Sequence, residues 1–323
     1  MSSVSRTPEH PRVAVVTGAT SGIGKEVARG LAARGLTTVV VGRGKERSAG
    51  VARELSVATG NPRVESIPVQ DLAVRAEVRQ LSTELLRRYP EIHLLVNNAG
   101  AYFARRELTA DGLERTFALN VLAPFALTSL LADRMRASAP ARVVQVSSAA
   151  HHGARVPVGD LQNATGYSGF RVYGQSKLEL LLLTREFARR LAGTGLTVNA
   201  VHPGFIRSGF GLNNGGAVGV GMRLAQLAFA RGPRYGAGNV LYVAVDPATM
   251  SISGEYFSRR RVERASRASY DIAGARTLFE ACQALAGTPP LPDPAPADPA
   301  RPSTRPGSPG PVQDGAPAGP APS

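Results

Sequence analysis

Tyr173 and Lys177 stand four residues apart in Tyr173-Gly174-Gln175-Ser176-Lys177. On a helix that spacing puts both side chains on one face, an ammonium beside a phenol. A free phenol titrates near ~10 and is a poor acid–base group at neutral pH. A close cation favours the phenolate and draws that pKa toward the working range. Taken alone, such a pair is more often a plain surface Tyr and Lys on an amphipathic helix. Lysine is scarce here, however: only Lys25, Lys45 and Lys177 occur among 38 basic residues.

A second stretch with chemical potential is Thr17-Gly18-Ala19-Thr20-Ser21-Gly22-Ile23-Gly24. Its pattern is G-x-x-x-G-x-G, a variant of the dinucleotide-binding G-x-G-x-x-G. The physical need is the same: glycines permit a tight turn and close backbone approach, and a helix beginning near Ile23 points its amides at a pyrophosphate. A glycine-rich loop is often an ordinary turn, but this one follows a strand directly and opens a helix.

These groups need a scaffold, and the apolar pattern supplies one. Val13–Val16, Thr37–Val41, Val64–Val69, Leu94–Val96, Val143–Val146 and Thr197–Val201 read as strands. They are apolar at nearly every position, as expected of a parallel sheet covered on both faces. Helical patterns lie between them near Ile23–Arg34, Lys45–Ala58, Val74–Tyr89, Gly112–Ala137 and Tyr173–Leu191. The alternation predicts an α/β doubly wound sheet with right-handed crossovers.

From Gly287 to Ser323 there are no aromatics, and Pro, Ala, Gly and Ser dominate; 24 prolines occur in the chain and most of them lie in this stretch. Such a segment cannot bury enough apolar surface to offset its ordering entropy. The expected organisation is therefore one folded domain over 1–286 and a disordered tail over 287–323. The net charge of +14 raises nucleic acid as a partner. Apart from Arg259-Arg260-Arg261 the arginines are scattered, and no zinc-finger spacing or aromatic–basic stripe accompanies them, so a solvated surface is expected instead. The single Cys282 excludes an intrachain disulfide and fits a reducing compartment. Met1 to Arg12 lacks the apolar core of a signal peptide, and no uninterrupted apolar run reaches membrane-spanning length. A cytoplasmic protein is expected.

Thr17 to Gly24, Asn97-Asn98-Ala99-Gly100, Asn120, Ser147-Ser148, Tyr173-x-x-x-Lys177 and Pro203-Gly204 occur in the order of the short-chain dehydrogenase/reductase family. Val146 to His152, Asp160-Leu161, Ala200 to Gly204 and Ser253 to Phe257 resemble its retinol-dehydrogenase-like branch. The resemblance covers nearly the whole body. It implies a Rossmann-like fold with a seven-stranded parallel sheet and helices on both faces, NAD(P)-dependent carbonyl/alcohol chemistry on a small molecule, and room for a homodimer.

Residue by residue, it makes Tyr173 the acid in reduction or the base in oxidation. Lys177 lowers its pKa and holds the nicotinamide ribose, Ser148 bonds the reacting oxygen, and Asn120 positions a water that links Lys177 to solvent. Gly18, Thr20, Ser21, Gly22, Ile23 and Gly24 cradle the cofactor, as do Asn98, Ala99 and Gly100 on its adenosine side. Asp71-Leu72 resembles the adenine-edge contact, and Pro203, Gly204, Ile206 and Ser208 the carboxamide side. Asn97 and Asn98 also read as simple turn stabilisers. No metal site is expected, because His151 and His152 lack a second ligand cluster.

Ser148 and Tyr173 are farther apart in sequence than in compact family members, and the insertion between them holds a decoy, Tyr167 with Arg171 four positions on. Arginine matches the ribose-binding lysine poorly, and Gly166 and Gly169 oppose a helix around Tyr167. Ser208 stands where the family commonly has Thr, and either hydroxyl can bond a carboxamide. After the second strand, Val39-Val40-Val41-Gly42-Arg43 carries no acid until Glu46. An acid there bonds the ribose of NAD, whereas Arg43 can pair with the extra phosphate, with Lys45 and Arg47 adding positive potential. NADP(H) is therefore expected over NAD(H). The glycine-rich Phe205 to Arg231 reads equally as a lid over an apolar substrate or as a plain surface loop. The competing expectation is a catalytically silent NADP(H)-sensing regulator on the same fold, which would have no need of the acid–base set.

Overall fold

A computed structural model describes residues 12–205 and 232–291. Its strands are β1 Val13–Thr17, β2 Thr37–Arg43, β3 Val64–Val69, β4 Leu94–Asn97, β5 Ala141–Val146, β6 Leu196–His202, β7 Tyr256–Ser258 and β8 Arg261–Val262. They form one sheet in the order β3-β2-β1-β4-β5-β6-β7-β8. The first seven pair in parallel. The eighth adds to the expected seven-stranded sheet: two residues fold back antiparallel on β7. The turn between them is Arg259-Arg260, both with positive φ (51° and 60°), the twist a two-residue hairpin requires.

Every residue of β1 is buried. Val13, Val15, Val39 and Val41 meet one helical layer while Ala14, Val16 and Val40 meet the other, which is why these strands are apolar at successive positions. One layer holds α1 Gly22–Ala32, α2 Lys45–Thr59 and, before β7, the helix Pro233–Val245. The opposite layer holds α3 Arg75–Arg88, α4 Arg115–Ala137, α5 Gly169–Arg190 and the last helix, Ile272–Ala286. In chain order the helices at Pro233 and Ile272 are α6 and α7. Among the described residues α4 alone is long and apolar enough to cross a membrane, and most of it is buried within this layer.

The expectations for Gly112–Ala137 and Tyr173–Leu191 need adjustment. The first helix starts at Arg115, where the Glu114 carboxylate accepts from the amides of Thr116 (2.8 Å) and Phe117 (2.7 Å). It then widens to a π turn at Ala118–Leu122 before resuming as α-helix over Ala123–Ala137. The second starts four residues earlier than its apolar pattern. α7 was not foreseen. Its Phe279 meets Phe125 of α4 and Phe187 of α5 at centroid distances of 4.9 and 5.0 Å.

Between α5 and α7 lies a buried carboxyl, Glu179, which accepts from Gln175 Nε2 at 2.9 Å. Burial raises its pKa to about 8, and the same surroundings push the buried Cys282 thiol well up, leaving it unreactive. In an unfolded chain a Glu titrates near ~4.3. Between these two values the native state binds more protons, so this carboxyl makes stability fall as pH rises through that window. Glu179→Gln keeps the shape and removes the titration. It should raise the melting temperature at pH 8 by roughly 2–4 °C per kcal/mol relieved, on the order of a few kcal/mol in all, with the gain vanishing near pH 4. Scanning calorimetry against pH checks this; a gain independent of pH would refute it.

Candidate active site

Strand order reverses between β1 and β4, and the crevice this opens at the C-terminal ends of the strands is where such sheets bind ligands. Thr17 Oγ1 accepts from the amides of Asn98 and Ala99, both at 3.0 Å. The Asn98 side chain donates back to Thr17 O (3.0 Å) and Gly18 O (3.3 Å). The two loops are thus locked together with no room for side chains. A Cβ on Gly24 would lie 2.4 Å from Gly18 O, and Gly18 itself has φ +64°. Ala19 N bonds Val41 O at 3.0 Å, and Thr20 packs on Gly42. Ser21, at the N-cap of α1, makes no capping bond, and the first turn beginning Gly22-Ile23 contains no acid. Bare glycine backbone at a helix N-terminus fits the pyrophosphate of a nicotinamide dinucleotide.

Arg43 ends β2, exposed, and Lys45 and Arg47 are exposed beside it. None of the three pairs with an acid among the described residues. The two Asp71 oxygens accept from Ala73 N (3.0 Å) and Arg115 Nη2 (2.7 Å), while Leu72 is buried. On the far side, Pro203 O accepts from Asn239 at 3.0 Å and Gly204 has φ 100°. Ile206 and Ser208 lie outside the described residues, as does nearly all of the segment from Phe205 to Arg231.

α5 carries Tyr173 and Lys177 into the same crevice. The Ser148 side chain, at the end of β5, hydrogen-bonds Tyr173 and accepts from Ala150 N at 3.2 Å. Tyr102, buried, meets the Tyr173 ring edge-on at 6.3 Å. Lys177 Nζ lies 5.5 Å from the Tyr173 ring centroid and donates to Val146 O at 3.1 Å. A Cβ on Gly100 would lie 3.5 Å from that Nζ and 3.2 Å from Asn120 Oδ1, so Gly100, Asn120 and Lys177 converge.

One expectation is corrected here. Burial raises the Tyr173 pKa to about 12, the Ser148 bond opposing it, and lowers Lys177 to about 8. Removal from water is the largest influence on both groups, and the Val146 carbonyl takes one ammonium hydrogen. The Asn120 side chain exchanges two 2.9 Å bonds with the Ala101 backbone and donates to Ser176 Oγ at 3.1 Å. Its place in the π turn of α4 is what aims it at Ala101.

Tyr167 precedes α5 and serves the scaffold. Its hydroxyl donates to Phe103 O (3.1 Å) and lies 3.2 Å from Thr116 Oγ1 and 3.4 Å from Glu114, pinning the insertion to the start of α4. Arg171 turns away to Asn163 and Gly166 O. The described residues contain no cluster of three metal-ligating side chains. Asn97 is a core residue, donating to Thr128 at 3.1 Å. The roles of Thr17, Tyr102 and Ser176 went unread. Thr17 stood at the head of the glycine-loop motif and Ser176 three residues from Tyr173 on one helical face, whereas Tyr102 left no trace.

A family model described as short chain dehydrogenase matches residues 12–215. Human retinol dehydrogenase 12 is 38% identical over 275 residues, spanning 85% of this chain and 86% of that one. A crystal structure of an uncharacterized protein from Mycobacterium paratuberculosis superposes with a TM-score of 0.69 at 30% identity, over 88% of this chain and 96% of that one. A short chain dehydrogenase from Burkholderia cenocepacia, in complex with NADP, gives a TM-score of 0.60 at 27% identity over 77% and 95%.

Proposed function

The chain belongs to the short-chain dehydrogenase/reductase family, whose nicotinamide-dependent members interconvert alcohols and carbonyls, and from that premise we propose an NADP-preferring enzyme acting on an apolar small molecule. The observation that carries the preference is the exposed Arg43 at the end of β2, flanked by Lys45 and Arg47 and facing no partner acid. For an apolar substrate the support is the buried Tyr102 beside Tyr173, together with Phe170 and Phe205, which are 69% and 53% exposed. The naming of the human relative for retinol points the same way.

Bound in the crevice, the nicotinamide supplies or accepts the hydride. The protein's share is the proton. A carbonyl oxygen placed between Ser148 Oγ and the Tyr173 hydroxyl accepts a bond from each, and Tyr173 gives up its proton as the alkoxide forms. In the reverse direction the phenolate takes that proton. Lys177, held by Val146 O, keeps a positive charge beside the phenolate and can hold ribose hydroxyls. Asn120 fixes the loop that carries Gly100.

A charge-assisted hydrogen bond is worth roughly 1.5–3 kcal/mol, so NADPH should bind on the order of ten- to a hundredfold more tightly than NADH. Arg43→Asp should abolish or reverse that ratio without lowering the melting temperature. Titration calorimetry with both cofactors at moderate salt decides it; equal affinities in the wild type would overturn the preference. Turnover of a panel of apolar aldehydes, ketones and alcohols, followed by NADPH absorbance, tests the activity itself.

A further inference from the structure

His151 is fully buried, follows Ser148 by three residues and is absent from the chemistry above. Its Nδ1 lies 2.6 Å from Ser148 O. Its Nε2 accepts from the amide of Ser266 at 3.2 Å, across 115 residues of chain. An amide can only donate, so Nε2 carries no proton. The proton of the neutral ring therefore sits on Nδ1 and is donated to Ser148 O. The ring stacks on His152 at 4.1 Å and meets Tyr256 of β7 edge-on at 4.9 Å. Arg185 of α5 and His202 of β6 also face it electrostatically. Burial and the Arg185 guanidinium disfavour an imidazolium, the Ser148 carbonyl bond opposing them, and protonation would also lose the Ser266 bond.

Ser148 has one soft degree of freedom that matters for proton transfer, the direction of its hydroxyl relative to Tyr173. The Ala150 amide donates to the Ser148 hydroxyl oxygen at 3.2 Å. The carbonyl side is held by His151.

We propose that His151 is a positioning residue: through Nδ1–H it pins the Ser148 main chain, and through Nε2 it ties that segment to the stretch after β8. The assignment rests on the carbonyl–alcohol reading above, in which Ser148 bonds the reacting oxygen. It makes the residues around Ser266 part of the support of the acid–base site, although they are remote in sequence and lie outside the cofactor crevice.

Three substitutions separate the two bonds. In His151→Asn the amide nitrogen falls near the position of Nδ1 and keeps the donor to Ser148 O. In His151→Gln the amide oxygen falls near Nε2 and keeps the acceptor for Ser266. His151→Phe keeps only the ring. Gln and Phe should lower kcat on the order of ten- to a hundredfold, the usual cost of a misplaced hydrogen-bonding group at the reacting centre, with KM and NADPH affinity within about threefold. Asn should keep kcat within about threefold of wild type even if its melting temperature falls as far as that of Gln. A purely structural histidine would instead make kcat follow melting temperature across all three. Equal kcat loss in Asn and Phe, or no loss in any variant, overturns the proposal. Independently of turnover, long-range 15N correlation spectra of the wild-type imidazoles should show His151 as the Nδ1–H tautomer through the neutral range; an Nε2–H tautomer refutes the anchoring outright. Should the wild type turn over nothing in the substrate panel, the functional reading falls while the tautomer still decides the anchoring.

Discussion

Tyr173→Phe should reduce kcat at least ~100-fold, the usual contribution of a positioned general acid, while leaving the melting temperature and NADPH affinity close to wild type. Only the hydroxyl is removed, and its partner Ser148 retains the bond from Ala150 N. Tyr167→Phe should do the opposite: turnover per folded molecule is kept, but the protein is destabilised on the order of 1 kcal/mol or more, because the hydroxyl bridges Phe103 O and the Glu114–Thr116 cap of α4. The direction of reaction sets the pH dependence. Reduction needs the protonated phenol, and with a pKa pushed up to about 12 that form is present throughout the neutral range. Oxidation needs the phenolate, so its rate should climb with pH, and the climb should flatten as Lys177, drawn down to about 8, loses its charge. Steady-state rates in both directions from pH 6 to 10 check the signs; a kcat for Tyr173→Phe within a few-fold of wild type would remove Tyr173 from the mechanism.

The largest stability effect is expected at Phe279. It is 1% exposed and packs against both Phe125 and Phe187. Phe279→Ala should cost about 3–5 kcal/mol and lower the melting temperature on the order of 10 °C. NADPH affinity at 25 °C should stay intact, since α7 borders neither the Gly18–Gly24 loop nor Arg43. Thermal melts followed by circular dichroism give the answer, and a loss below about 1 kcal/mol would mean that the neighbouring aromatics collapse into the space.

The parallel sheet was legible because each central strand is buried on both faces and is therefore apolar throughout. The glycine loop and the Tyr173–Lys177 pair were legible because their chemistry depends on local spacing. What escaped the sequence depends on long-range contact. β7 is three residues long and too short for periodicity to register. α7 is amphipathic, but its partner face on α4 and α5 is invisible in a one-dimensional pattern. The direction of the Tyr173 pKa was misjudged because a neighbouring cation can be read from spacing, whereas burial belongs to the assembled fold. His151 was weighed as a metal ligand, and its place escaped for the same reason: its second partner, Ser266, is 115 residues away.

The position of α7 at the end of the fold bears on how the protein is made. Phe125 and Phe187 leave the ribosome well before Phe279, the ring that covers them. At ~5–20 residues per second the interval between Phe187 and Phe279 is on the order of ten seconds. Throughout it, the outer faces of α4 and α5 have no native cover. Nascent chains are therefore exposed to misassociation through these two helices, and a holding chaperone that occupies apolar surface would act there, releasing the chain once α7 can compete for the same site.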